Sequence, residues 1–127
     1  MVDINRQRQT CNKGDKAMEK IVNDDPQTNV EMMMNLAFIK DKEVWIRCGS
    51  EKGEDCNLID FVNRACKEHK CEYAEDLKKL EHDFDNVGDM LMMCSGEGCP
   101  IGTFYYVAIQ AAELREHLRK YEDGEQE

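Results

Sequence analysis

Two apolar series at heptad spacing constrain this chain more than any other feature. Tyr73, Leu77, Leu80, Phe84, Val87, Leu91 and Cys94 follow one another at intervals of 4, 3, 4, 3, 4 and 3 residues. Phe104, Val107, Ala111, Leu114, Leu118 and Tyr121 repeat the pattern at 3, 4, 3, 4 and 3. Such spacing lines apolar side chains along one side of a helix. Between the series, Ser95-Gly96-Glu97-Gly98 reads as a loop, with Gly96 suited to the left-handed position after a helix. Pro100 suits the first turn of the next helix. The pattern predicts a long antiparallel helical hairpin over about 72–94 and 100–122. Pairing outward from the loop opposes Leu91 to Phe104, Val87 to Val107 and Phe84 to Ala111. Leu80 then meets Leu114, Leu77 meets Leu118 and Tyr73 meets Tyr121, all in constant register. Phe84 against Ala111 is a large-against-small layer. Gly88 is the one place where the first helix would break.

The rest of the chain reads as shorter elements. Residues 1–13 are polar and aperiodic, a flexible tail, and 14–127 form a single globular domain. A short N-terminal helix follows Asp15, with Ala17, Met18, Ile21 and Val22 on one face, and ends at Asp24-Asp25-Pro26. Thr28-Asn29-Val30-Glu31 has capping-box spacing for a second short helix through Met34. Residues 36–39 and 44–48 flank Lys40-Asp41-Lys42-Glu43 and predict a small β-hairpin. A helix over about 57–69 carries Leu58, Ile59, Val62, Ala65, Cys66 and His69 on one stripe, with Asp55 or Asn57 to cap it. The fold class is therefore α+β, mostly α.

Seven cysteines stand at 11, 48, 56, 66, 71, 94 and 99. The N-terminus has no apolar signal core, so a reducing, cytoplasmic setting is expected, with free thiols rather than a disulfide framework. Cys66-x4-Cys71 and Cys94-x4-Cys99 are looser than a zinc knuckle. A continuous helix over 72–94 would also rise about 33 Å and hold the two pairs apart. No metal and no cofactor are expected. Cys94 and Cys99 at the hairpin tip keep a redox role open. The stretch from Asp83 to Asp89 fails as a calcium loop, because Val87 and Cys94 stand where oxygen ligands are needed.

No phosphate-binding glycine loop and no nucleophile elbow occur, and His69, His82 and His117 have no fixed relation to a serine or cysteine. The chain is read as non-enzymatic. No apolar run is long enough for a membrane span. Formal net charge is −10, and residues 72–127 carry 5 basic against 14 acidic side chains. An acidic field repels phosphate backbones and attracts basic surfaces, which excludes direct nucleic-acid binding.

The leading expectation is a small acidic protein that works by binding another protein. Met90, Met93, Ile101, Tyr105 and Ile109 lie off the heptad series and form a candidate interface near the hairpin tip, for a partner or for a two-fold homodimer. The alternative is an inhibitor that imitates nucleic acid and captures a basic nucleic-acid-binding protein. Asp76, Glu81, Asp83, Asp85, Asp89, Glu113, Glu116 and Glu122 would then present carboxylates along a rod. A thiol or zinc-binding module is the third reading.

Overall fold

Capping side chains and turn geometry set most of the element boundaries. The computed structural model describes residues 20–48, 50 and 52–124. Thr28 opens α1 (Asn29–Met34) with the capping box complete, its hydroxyl taking the Glu31 amide while the Glu31 carboxylate takes the amides of Gln27 and Thr28. Strands β1 (Ala37–Lys40) and β2 (Glu43–Ile46) pair antiparallel, with Ala37 opposite Ile46 and Lys40 opposite Glu43. The two turn residues, Asp41 and Lys42, have φ of 55° and 67°, a left-handed pair that matches the twist of the strands. Strand β3 (Cys56–Asn57) adds to the free edge of β2. Asn57 then caps α2 (Leu58–Glu68) by accepting the Ile59 amide at 2.9 Å. Three further helices follow: α3 (Ala74–Lys79), α4 (Phe84–Gly96) and α5 (Pro100–Glu122). The fold is α+β and mostly helical, as the periodicity predicts.

The long first arm of the hairpin is not one helix. Helix α3 ends at Lys79, Glu81 takes a left-handed φ of 57°, and Asp83 starts α4. The Asp83 carboxylate accepts the Asn86 amide at 3.1 Å and the Asn86 side-chain amide at 2.8 Å. That cap turns a position expected on a solvated helix face into a helix start. Gly88, the one place where a break could have fallen, lies inside α4 under Tyr105 and Tyr106, and the Tyr106 hydroxyl donates to its carbonyl. The left-handed residue before α5 is Gly98, with φ of 94°, rather than Gly96. The expected N-terminal helix and the tail fall mostly outside the described residues, and Ile21 and Val22 lie in non-helical chain.

A hairpin does form between α4 and the first half of α5, but with a different face inward. Gly102, Tyr105, Ala108, Ala112 and Arg115 are the buried positions of α5. The Tyr105 hydroxyl donates to the Phe84 carbonyl at 3.1 Å, and the Ser95 and Thr103 hydroxyls meet at 2.8 Å. A Cβ on Gly102 would come within 2.5 Å of the Leu91 carbonyl oxygen, so glycine is what lets the two backbones touch. The pairing of Phe84 with Ala111 and of Leu80 with Leu114 is therefore overturned. Ala111 and Leu114 point outward. Leu58, Ile59, Val62, Leu77, Val87, Leu91 and Tyr105 fill the core, closed on the sheet side by Ala37, Val44 and Ile46.

A polar knot ties the N-terminal strand of chain to α5. Asn35 is fully buried, and its side-chain oxygen accepts the Asn23 amide at 2.9 Å and Arg115 Nε at 2.8 Å. Its side-chain nitrogen donates to the carbonyls of Ile21 at 3.0 Å and Glu31 at 2.8 Å. Every hydrogen-bonding position of that amide is used, which is the condition for burying it without penalty. Arg115 reaches on to Asp24 at 3.0 Å, and Arg119 joins the same carboxylate at 2.9 Å. Those two guanidinium groups, Arg119 first, pull the Asp24 carboxyl down to about 2.

Two substitutions test this account. Asn35→Ala leaves Arg115 Nε and the Asn23 amide without their acceptor, and should cost about 3 kcal/mol in urea unfolding. Gly102→Ala should cost roughly 1–3 kcal/mol, because backbone rather than a flexible side chain must give way. Unchanged unfolding midpoints for either would contradict the packing described.

Candidate functional site

Four surface features result from this packing, and they differ in what they can do. The first is an apolar face along α5. Phe104, Val107, Ala111, Leu114 and Leu118, the second heptad series, line two adjoining grooves of about 210 and 180 Å³ that share Met34 and Ala111. Met33, Met34 and Leu36 wall the first groove, and Ile21 and Val22 wall the second. Helix α1 has no buried residue, and its Val30, Met33 and Met34 fall on one exposed stripe. Among the described residues, seven of the nine exposed large apolar side chains belong to α5, α1 and the adjoining Leu36.

The tip interface expected from sequence does not assemble. Tyr105 is fully buried with its hydroxyl bonded, because it lies on the inward face of α5. Burial from solvent raises its pKa above the ordinary phenol value. Met90, Ile101 and Ile109 are half-buried against the core. Met93 is exposed, as is its neighbour Met92.

The carboxylates divide into two groups. Asp85, Asp89 and Glu113 face one groove of about 400 Å³ beside Tyr106 and Lys42. Asp76, Glu81 and Asp83 are also exposed, but the break after α3 takes them off any single rod. Glu116 sits 3.7 Å from Arg119, and Glu122 accepts the amides of Ile21 and Val22 at 2.7 and 3.1 Å. These last two carboxylates hold the fold together and are not open to a basic partner.

The third feature is a polar cleft of about 600 Å³ between α2 and α3, lined by Asp60, Arg64, Lys67, Glu75, Lys78 and His82 among others. His82 Nε2 lies 2.8 Å from Asp60, with Glu43 3.9 Å from its other ring nitrogen. The Asp60 hydrogen bond raises the His82 pKa, against a smaller desolvation effect. No hydroxyl or thiol lines this cleft among the described residues.

The fourth is a group of thiols. The break at 80–83 removes the 33 Å separation argued from a continuous helix. Cys66 and Cys94 lie in the last turns of α2 and α4, and Cys71 and Cys99 donate backbone amides to their carbonyls at 3.0 Å in matching turns. Burial, reinforced by Cys71, Cys99 and Cys94 nearby, pushes the Cys66 thiol up to about 12, and burial also raises Cys94. Buried thiols held protonated in this way are poor nucleophiles. Among the described residues, no three His, Cys, Asp or Glu side chains are arranged to hold a metal ion, and no helix is long and apolar enough to cross a membrane.

Sequence reading missed the walls of the apolar grooves, since Met33, Met34 and Leu36 lie about 70 residues before Val107. The stripe on α1 was the available signal. Comparison of the chain with protein families, curated proteins and solved structures returns no match.

His82 gives a pH test of the cleft. Its folded pKa lies above the unfolded 6.5, so its contribution is complete below that pH and is lost as pH rises through the folded value. Between pH 5.5 and 8.5 the wild type should lose slightly more stability than His82→Asn, by less than about 1 kcal/mol for so exposed a pair. Equal losses in urea titrations would remove the ion pair from the account.

Proposed function

We propose that this chain acts by binding another protein, without catalysis of its own, through the apolar face of α5 and α1. One observation carries the reading: three large apolar side chains of the second heptad series face solvent. Val107 is 54% exposed, Leu114 59% and Tyr121 67%, with Met33 at 68% beside them. Covering the exposed half of such a valine or leucine gains about half of the ~1.5–3 kcal/mol of complete burial, so a partner helix laid along the stripe has several anchors at the right spacing. The flanking methionines adapt to the partner's shape. The six described cysteines stand as free thiols, which supports placing the chain in a reducing cytoplasm.

A second reading rests on the groove holding Asp85, Asp89 and Glu113. Three carboxylates around one concavity favour a basic partner, including one that normally holds nucleic acid. The two readings respond to salt in opposite ways. Charge imitation weakens steeply between about 0.05 and 0.5 M salt, whereas apolar docking does not.

Affinity capture from the native host tests both. Val107→Asp should lower recovery of the captured protein at least about tenfold, while Asp85→Asn with Asp89→Asn should leave it unchanged, at either salt concentration. The reverse pattern would replace the apolar reading with the acidic one.

A further inference from the structure

We infer that the apolar face of α5 is a homodimer interface, in which a second copy lays its own α5 antiparallel along the first. The inference rests on the protein-binding reading and names the partner. Three observations carry it, and the first is self-complementarity. If α5 is turned end for end against itself, Phe104 meets Tyr121, Val107 meets Leu118 and Ala111 meets Leu114, each pair in the same register. The layer at the two-fold axis then sets a small side chain against a large one, as close helix approach requires. Any six positions at 3, 4, 3, 4, 3 spacing match their own reverse, so it is the small-against-large layer at the axis that favours this pairing.

The second observation is charge. The chain carries −10, so two copies repel unless they meet where charge is absent. On the outer flank of the stripe the residues are Thr103, Gln110 and His117, all exposed and none of them acidic. In the antiparallel register Gln110 comes opposite His117. Asp85, Asp89 and Glu113 lie in the groove on the far side of Tyr106 and stay outside the interface.

The third is exposure. Val30, Met33, Met34, Leu36, Val107, Leu114 and Tyr121 are the exposed apolar side chains of this face. Each is between 37% and 68% exposed, and so many on neighbouring turns exceed the singly scattered apolar residues normal on a monomer's surface. This surface replaces the hairpin tip as the place where two copies meet.

Sedimentation and light scattering on the full chain test the inference. The wild type should run at twice 14.8 kDa, and raising salt should leave the dimer intact or tighten it. Leu114→Asp should weaken it at least about a hundredfold with helicity unchanged, because a two-fold interface contains each substitution twice. A photo-activated cross-linker placed at position 107, well away from the two-fold axis, should attach to the segment around Leu118 of the other copy. Attachment to position 107 of the other copy would mean parallel helices and would overturn the register. A wild type that stays at 14.8 kDa at millimolar concentration overturns the dimer. In that case, a Val107→Asp chain that still loses its captured partner leaves the protein-binding reading standing, and one that loses nothing removes both.

Discussion

The fully bonded amide of Asn35 is the constraint on which the rest of the molecule depends. It stands between α1 and β1 and holds three separate pieces: the stretch of chain at 21–23, the end of α1, and through Arg115 the middle of α5. Its own backbone carbonyl accepts Arg47 at 2.9 Å, which ties in the end of the hairpin. A buried guanidinium needs partners, and Arg115 finds them only because Asn35 and Asp24 are brought to it. Once Arg115 is inside, the rotation of α5 is set. Tyr105, Ala108 and Ala112 follow it inward, and Val107 and Leu114 must point out.

The opposite end of α5 is set by a backbone contact. Gly102 admits the Leu91 carbonyl to within reach of the helix, and Gly88 admits the two tyrosines. Glycine and alanine make this seam close but contribute little apolar area of their own. The large residues of α5 are therefore left over for another surface. The same rotation places Ile109 and Met90 against the core and removes the tip as an interface.

Function follows from what is left uncovered. The polar cleft is balanced between acids and bases, the Cys66 and Cys94 thiols are buried, and the acidic groove is open but partly neutralised by Lys42. The apolar stripe alone lacks a counterpart within the described chain. It runs beside α1, whose methionines widen it, and its neutral flank leaves an approach for a second helix. The proposed protein-binding role, with a second copy as the proposed partner, draws on that arrangement.

Local signals in the sequence determined local structure. Thr28 and Glu31 dictate the start of α1, Asn57 the start of α2, Pro100 the start of α5, and alternating strand formers the β-hairpin. These depend on neighbours within about four residues, where capping and turn chemistry act. The heptad spacing at 104–121 was also correctly legible as an apolar stripe on one helix. Its direction was not. A helix of 23 residues carries several series at three- and four-residue spacing, 100° apart per residue, and hydropathy ranks Val107 and Leu114 above Gly102, Ala108 and Ala112. The break at 80–83 was hidden for a similar reason, since a continuous seam and an Asp83 cap are both available locally. Only the tertiary structure decided between them, because the deciding interactions join residues far apart in the chain: Asn35 to Arg115, Gly102 to Leu91, and Tyr105 to Phe84.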